Sequence, residues 1–395
     1  MQVERISTKA ELETLRTQWN RLAGDIPFRR FEWLATWWKH YRQPRWDLFV
    51  ITARNEDGEL VGLLPLYLNK TLLGGRVLRF LGSGEVCSDY LTLLTAEGMQ
   101  REVAAQVGNW LADEARAKWD SLELVGLDGS DATISLLAEH LQSCRYDVHF
   151  RPGENCWRLE LPSTWADFVA SLSKSRRERV RKLQRRSFDA GRVTSGVLEN
   201  PDEFDCYFDR LFELHQKRRN SLGEPGCFAS KEFESFHRDV MQQMLSLGIL
   251  RLWWTNLDGT PAAIEYTLKG GDTVYFYQSG IEPQLSKEYP GWLSTICSFR
   301  ASIEQGVRYF DFMRGDEAYK ASWGATVRPS TELRIVAPRI APRLRYSAFR
   351  TRKLLGRFKR AVKNRFRGSK RLDSSANQNR IETAEPELVG SPAET

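Results

Sequence analysis

Apolar residues recur at helical spacing over residues 8–22 (TKAELETLRTQWNRL) and 31–41 (FEWLATWWKHY). Thr8, with Glu11 three residues on, fits a capping box at the first of these helices. The pattern then changes period. LFVITAR and ELVGLLPLYL are joined by Asn55-Glu56-Asp57-Gly58, a turn between apolar runs that predicts a hairpin. A Gly74-Gly75 turn leads into RVLRFLG and DYLTLL, followed by a helix near 100–118 and the strand SLELVGL. Pro44 and Pro65 are expected at element edges, where a missing N–H costs least.

The second half repeats this order. Helices are predicted over 164–190 and 202–220, then GILRLWWTN, the turn Leu257-Asp258-Gly259, PAAIEYTL, Gly270-Gly271, DTVYFYQSG, a helix near 290–305 and the strand VRYFDFM. Aligned on the double glycines, Gly75–Gly84 lies over Gly271–Gly280 with Gly, Phe, Ser and Gly in common and no gap. The shared order of elements points to an internal duplication. It predicts an α/β (α+β) fold of two tandem units, 1–162 and 163–337, with mixed, largely antiparallel sheets. After Pro338 the composition shifts. Residues 338–371 read as a basic amphipathic helix with Leu354, Leu355, Phe358, Val362 and Phe366 on one face, and 372–395 as a disordered polar tail.

Charge sharpens this division. The net +7 hides fourteen Lys/Arg and no acid in 339–371, against −4 in 372–395 and −3 in the rest of the chain. A body that is mildly acidic does not coat nucleic acid. Within it, SKSRRERVRKLQRR (173–186) holds eight Lys/Arg and one Glu, which suits an anionic ligand. No apolar run approaches the ~18–20 residues of a membrane span, and the N-terminus lacks a secretory pattern, so a cytoplasmic location is expected.

The common catalytic signatures are absent: GxSxG, GxxxxGK[ST], GxGxxG after a strand and HExxH do not occur. Cys87, Cys144, Cys156, Cys206, Cys227 and Cys297 form no CxxC pair and read as buried reduced thiols. The histidines at 40, 140, 149, 215 and 237 form no ligand cluster, so no metal is expected; His215 and His237 read as partly exposed helix residues. Glu265 is different. It is a lone carboxylate in the apolar strand AAIEYTL, either facing solvent or buried enough to serve as a base of raised pKa. In Tyr289-Pro290-Gly291-Trp292, the proline suits a first helical turn and the glycine admits a close ligand.

The closing DFMRGDEAYKASWG, together with FEWLATWWKHY, LVGLLPLYL, FLGSG followed by SDYLTLL, and SKSRRERVRKLQRR, resembles the CelD/BcsL-type acetyltransferase-like family over roughly residues 1–335. That family is tied to cellulose and exopolysaccharide biosynthesis. It is a branch of the GNAT superfamily, related to the FemAB-type aminoacyltransferases, which also carry tandem units. The resemblance implies attack by an amine or hydroxyl on an acyl thioester held between two splayed strands. The donor, acetyl-CoA or another acyl-CoA, would rest its pyrophosphate on the helix N-terminus at Tyr289, Pro290, Gly291 and Trp292. Glu265 and Asp316 are then the catalytic candidates, Tyr277, Tyr319 and Lys320 the substrate contacts, and Trp323 a packing residue. The Arg/Gln-x-x-Gly-x-Gly/Ala signature of acyl-CoA binding is missing. Three functions follow from the resemblance. The first is acyl transfer to a saccharide or lipid-linked precursor at the cytoplasmic membrane face, with 339–371 on the anionic leaflet. The second is FemAB-like aminoacyl transfer from tRNA to a cell-wall precursor. The third is a non-catalytic scaffold for polysaccharide synthase proteins.

Overall fold

The computed structural model describes residues 1–71 and 73–352. Strands β1 (Gln2–Ile6), β2 (Trp46–Arg54), β3 (Leu60–Thr71) and β4 (Gly75–Phe80) form an antiparallel meander, with the short β5 (Leu94–Thr95) beside β3. The Gln100–Ala112 helix then returns the chain to β6 (Ser121–Asp128), parallel to β4. After β7 (Asp147–Pro152) and β8 (Cys156–Glu160) the plan recurs. Strands β9 (Val193–Val197), β10 (Leu250–Leu257), β11 (Thr260–Gly270) and β12 (Thr273–Ile281) form a second meander. The Pro290–Glu304 helix leads to β13 (Tyr309–Arg314), parallel to β12. The chain closes with β14 (Thr326–Arg328) and β15 (Ser330–Val336).

The strand orders are β1-β2-β3-β4-β6-β15-β7 and β14-β8-β13-β12-β11-β10-β9. Gly75–Phe80 and Thr273–Ile281 are therefore both the fourth strand of their sheets. Both double glycines turn at positive φ, Gly75 at 76° and Gly271 at 57°, where a side chain would be strained. The fold is mixed α/β with two mixed sheets of one plan.

The expected cut at 162/163 does not separate these sheets. β8, from the first half of the chain, pairs with β13 and β14, while β15, near the end, sits between β6 and β7. Each parallel pair exposes a ladder on its outer edge, and a strand from across the chain satisfies those N–H and C=O groups. Pro65 also departs from expectation, lying inside β3 opposite Val50. Pairing with β4 starts only at Leu66 and pairing with β5 stops at Leu63, so no ladder donor is lost there.

The Thr8–Glu11 capping box forms as predicted. Not among the predicted elements are β1, the Ala132–Ser143 and Lys231–Ser246 helices, β7, β8, β9, β14 and β15. One core joins the two halves. The Phe31–Tyr41 helix packs on the Lys231–Ser246 helix, with the Trp33 ring 5.1 Å from Phe236 and 5.4 Å from Tyr277. A second core lies between β11–β13 and the Pro290–Glu304 helix. Residues 340–352 are helical; Leu354 to Phe366 and the tail 372–395 lie outside the described residues.

Candidate functional site

β12 and β13 pair only from Thr273–Tyr275 to Tyr309–Asp311 and then part, while β12 continues along β11 to Ile281. Just past the parting, β12 carries a bulge. Thr267 faces Phe276, but Tyr266 faces Gln278, leaving Tyr277 extra. Bulges re-aim side chains beside sites. Here Tyr277 and Gln278 turn to the face of Tyr266, and Ser279 falls opposite Glu265 on the other face.

On the Glu265 face the carboxyl is 1 % exposed, which answers the solvent-facing alternative. Thr295 Oγ1 donates to Glu265 Oε1 at 3.2 Å, and Oε2 has no partner. Burial pushes the acid up to about 7, and the hydroxyls of Ser298, Ser294 and Thr295 pull it back only in part. Trp253, opposite Glu265 on β10, buries an unpartnered Nε1, as does Trp292. Tyr319 is buried on the same side against Phe312, and burial, with Glu317 and Glu265 nearby, holds its phenol well above the usual range.

The helix start is built as the sequence implied. Tyr289 adopts a left-handed cap at φ 58° and Pro290 is the first helical residue; Gly291 and Trp292 are buried. Two cations from the Lys174–Leu183 helix cover it. The Arg176 guanidinium lies 4.9 Å from the Trp292 ring centre, and that of Arg179 lies 5.2 Å from Trp292 and 5.3 Å from Tyr289. Burial, then Arg179, lowers the Arg176 pKa, and its buried Nη1 has no partner. An arginine pair without a bonded acid among the described residues, above a helix N-terminus, suits an anionic group.

The other expected residues lie apart from this cluster. Tyr277 is on the opposite face, where its hydroxyl donates to Val86 O at 2.7 Å and meets His237 Nε2 at 3.1 Å. Asp316 is exposed and accepts from Trp157 Nε1 at 3.1 Å and Asn155 Nδ2 at 3.2 Å. Lys320 is 2 % exposed. Its ammonium donates to Arg314 O at 2.6 Å and Gly315 O at 3.0 Å and pairs with Glu317 at 2.8 Å. It ties the loop after β13, because a buried cation needs all its donors met. The substrate contact expected of Lys320 has to be made, if at all, by an ammonium already tied to two carbonyls and Glu317. Trp323 packs on Trp292, as expected.

Sequence reading missed a group on the Tyr277 face. His215 and His237 are buried, not partly exposed: the Phe204–Ser221 helix packs on β11 and β12, and the Lys231–Ser246 helix, held by the Phe31–Tyr41 helix and β10, sets the His237 ring 5.6 Å from that of Tyr266. Cys227 Sγ lies 3.5 Å from His215 Nε2 and accepts from Gln278 Nε2 at 3.4 Å. Desolvation holds both groups neutral, pushing Cys227 up to about 12 and His215 down to about 4. No spacing links residues 215, 227 and 278; only the bulge does. Of the six free cysteines Cys156 alone is fully buried, and Cys206 is exposed. No group able to hold a metal occurs among the described residues.

A cavity of about 500 Å³ lies on the first sheet, beneath residues 342–352, and contains none of the expected site residues. No described helix is long and apolar enough to cross a membrane.

Residues 174–321 match a family model described as an acetyltransferase (GNAT) domain. No curated protein matches the chain. Among solved structures, FemX has a TM-score of 0.58 at 11 % identity, covering 84 % of this chain and 97 % of that one. The C-terminal domain (DUF2156) of a putative lysylphosphatidylglycerol synthetase from Agrobacterium fabrum scores 0.51 at 11 % identity, over 83 % and 92 % of the two chains. L-PGS from Bacillus licheniformis scores 0.51 at 12 % identity, over 89 % and 97 %. Over 174–321 the chain is thus similar to GNAT acetyltransferase domains, and its fold is that of a GNAT-type acyltransferase.

Proposed function

We propose that the protein transfers an acyl group from a thioester donor to an amine or hydroxyl of a saccharide or lipid-linked precursor, with Glu265 as the base. The observation that carries this reading is the state of Glu265. A carboxyl with one unpartnered oxygen and a pKa near 7 accepts a proton at working pH, whereas an ordinary surface glutamate is too weak a base. Arg176, Arg179 and the helix N-terminus at Tyr289–Trp292 would hold the donor's diphosphate. The acyl carbonyl would then lie in the gap where β12 leaves β13. Glu265 takes the acceptor's proton as its nitrogen or oxygen bonds to the acyl carbon; the C–S bond then breaks, and the departing thiolate takes that proton and leaves as the thiol, which restores the carboxylate. Buried surroundings keep water from competing for the acyl group.

Residues 339–371, with fourteen cations and no acid, support attachment of this enzyme to an anionic cytoplasmic membrane face. The CelD/BcsL resemblance favours a precursor of an exopolysaccharide such as cellulose as acceptor. Calorimetry with acetyl-CoA tests the donor half of the proposal. The parent chain should bind, Glu265→Gln should bind equally, and only the parent should turn over. Absence of acetyl-CoA binding overturns this reading.

The missing acyl-CoA signature favours a second reading. The FemAB resemblance implies an aminoacyl donor on tRNA, the FemX structure shares the fold, and such an anionic donor suits the same cationic helix. Aminoacyl-tRNA binding in place of acetyl-CoA binding would select it.

A further inference from the structure

Where the last described helical residues cross the first sheet, arginines outnumber acids. Asp120 accepts from Arg76 Nη2 at 3.0 Å, Arg339 Nη2 at 2.8 Å and Arg345 Nη1 at 3.3 Å. Glu123 is claimed by Arg79 at 2.9 Å and Arg334 at 2.8 Å. Two carboxylates thus serve five guanidiniums, and Arg352 lines the same cavity. The surplus is partly out of water: the Arg334 side chain is 14 % exposed, and the buried Nε atoms of Arg334 and Arg339 have no partner. An uncompensated cation cluster in such a place is costly, and an anion relieves it.

The cavity is not polar throughout. Its walls include Leu73, Val77, Val336, Pro342, Tyr346 and Phe349. Phe349 is 40 % exposed, and its ring meets the Arg334 guanidinium at 4.1 Å, with Tyr346 at 5.5 Å. A free phosphate would satisfy the arginines and leave these walls wet. A molecule bearing both phosphate and hydrocarbon would satisfy both. At about 500 Å³ the cavity has room for a headgroup and the first part of a chain.

We propose that this groove is a specific site for one anionic phospholipid of the bilayer, its phosphate between Arg334 and Arg345 and its glycerol and upper chain against Phe349 and Val77. The site rests on the membrane attachment proposed above and gives it a location. The fourteen cations of 339–371 would bring the protein to the leaflet, and the groove would fix its orientation there.

Flotation of the full chain with phosphatidylcholine vesicles, with and without phosphatidylglycerol, tests this. Parent protein should float only with phosphatidylglycerol. Arg345→Glu and Phe349→Asp, at part-exposed positions that should fold normally, should each weaken partition about tenfold. Lys9→Glu, an exposed change of equal charge elsewhere, should not. If both groove variants float like the parent, the cationic segment suffices and the site is wrong, while membrane attachment stands. If the parent fails to float at low salt, attachment itself fails and the site with it. A thermal-shift series separates the two phosphate sources. Short-chain phosphatidylglycerol below its micelle concentration should raise the melting temperature of the parent and not of Phe349→Asp. An equal rise with glycerol 3-phosphate alone would overturn the lipid assignment.

Discussion

The two sheets share one strand order and differ most at their third strands. Phe80 stands opposite Leu66 and Phe276 opposite Thr267, so the residues two places earlier, Leu64 and Glu265, correspond. Their neighbours on the second strands are Ile51 and Trp253. In the first sheet this position is apolar and closed. Leu63, Leu64 and Leu66 are fully buried, and β1–β4 contribute no unpartnered buried polar side-chain atom among the described residues. In the second sheet Trp253, Asn256, Glu265 and Tyr266 all do. The β1–β4 meander is therefore packed closed, whereas the β9–β12 meander leaves buried polar atoms unmet. Unmet buried polar atoms cost about 1–3 kcal/mol each, and their concentration on the β10–β11 hairpin supports the proposed site there.

The largest effect that could break this contrast is on turnover. Glu265→Gln should lower it by ~10²–10⁴-fold with acetyl-CoA affinity unchanged, since an amide cannot take the proton. Steady-state kinetics beside calorimetry reads both. The reciprocal exchange, Leu64→Glu, should destabilise the fold by roughly 3–5 kcal/mol in urea unfolding, because no hydroxyl set like Ser294, Thr295 and Ser298 awaits it. If Leu64→Glu is tolerated, the first sheet is not the closed one.

Stability against pH sharpens the same point. Folded Glu265 keeps its proton to about pH 7, while unfolded it loses it near 4.5. Between these values the folded state binds the extra proton, so this group's contribution is full below 4.5 and is lost as pH rises to about 7. The stability of Glu265→Gln relative to the parent should therefore rise by about 3 kcal/mol across that interval. Lys320→Met should cost about 1–3 kcal/mol through lost carbonyl ties without altering donor binding. A change in affinity with stability intact would return Lys320 to the substrate. Smallest, the paired Arg176→Ala, Arg179→Ala change should weaken acetyl-CoA binding about tenfold, and rising salt should erase the difference.

Local signals were legible wherever the chain supplies its own partners. The Thr8–Glu11 box, the double glycines at positive φ, the apolar run of β3 and the Pro290 helix start depend on residues a few places apart, and each formed as read. The carboxylate was half legible: apolar neighbours on both sides left Glu265 either buried or facing solvent, and the packing of the Pro290–Glu304 helix on its face decided for burial. What only the tertiary structure decided are pairings across tens to hundreds of residues. β15 joins β6 and β8 joins β13, because open ladder edges take whatever strand the packing delivers, and no local pattern encodes that choice. The bulge at Tyr277 is of the same kind. One extra residue carried Gln278, which plain alternation would have set opposite Glu265, to the Tyr266 face and so to Cys227 beside His215, and burial tied the Lys320 ammonium to the carbonyls of Arg314 and Gly315. Residue type fixes which chemistry a side chain can do; which face it reaches, and how dry that face is, follow from register and packing.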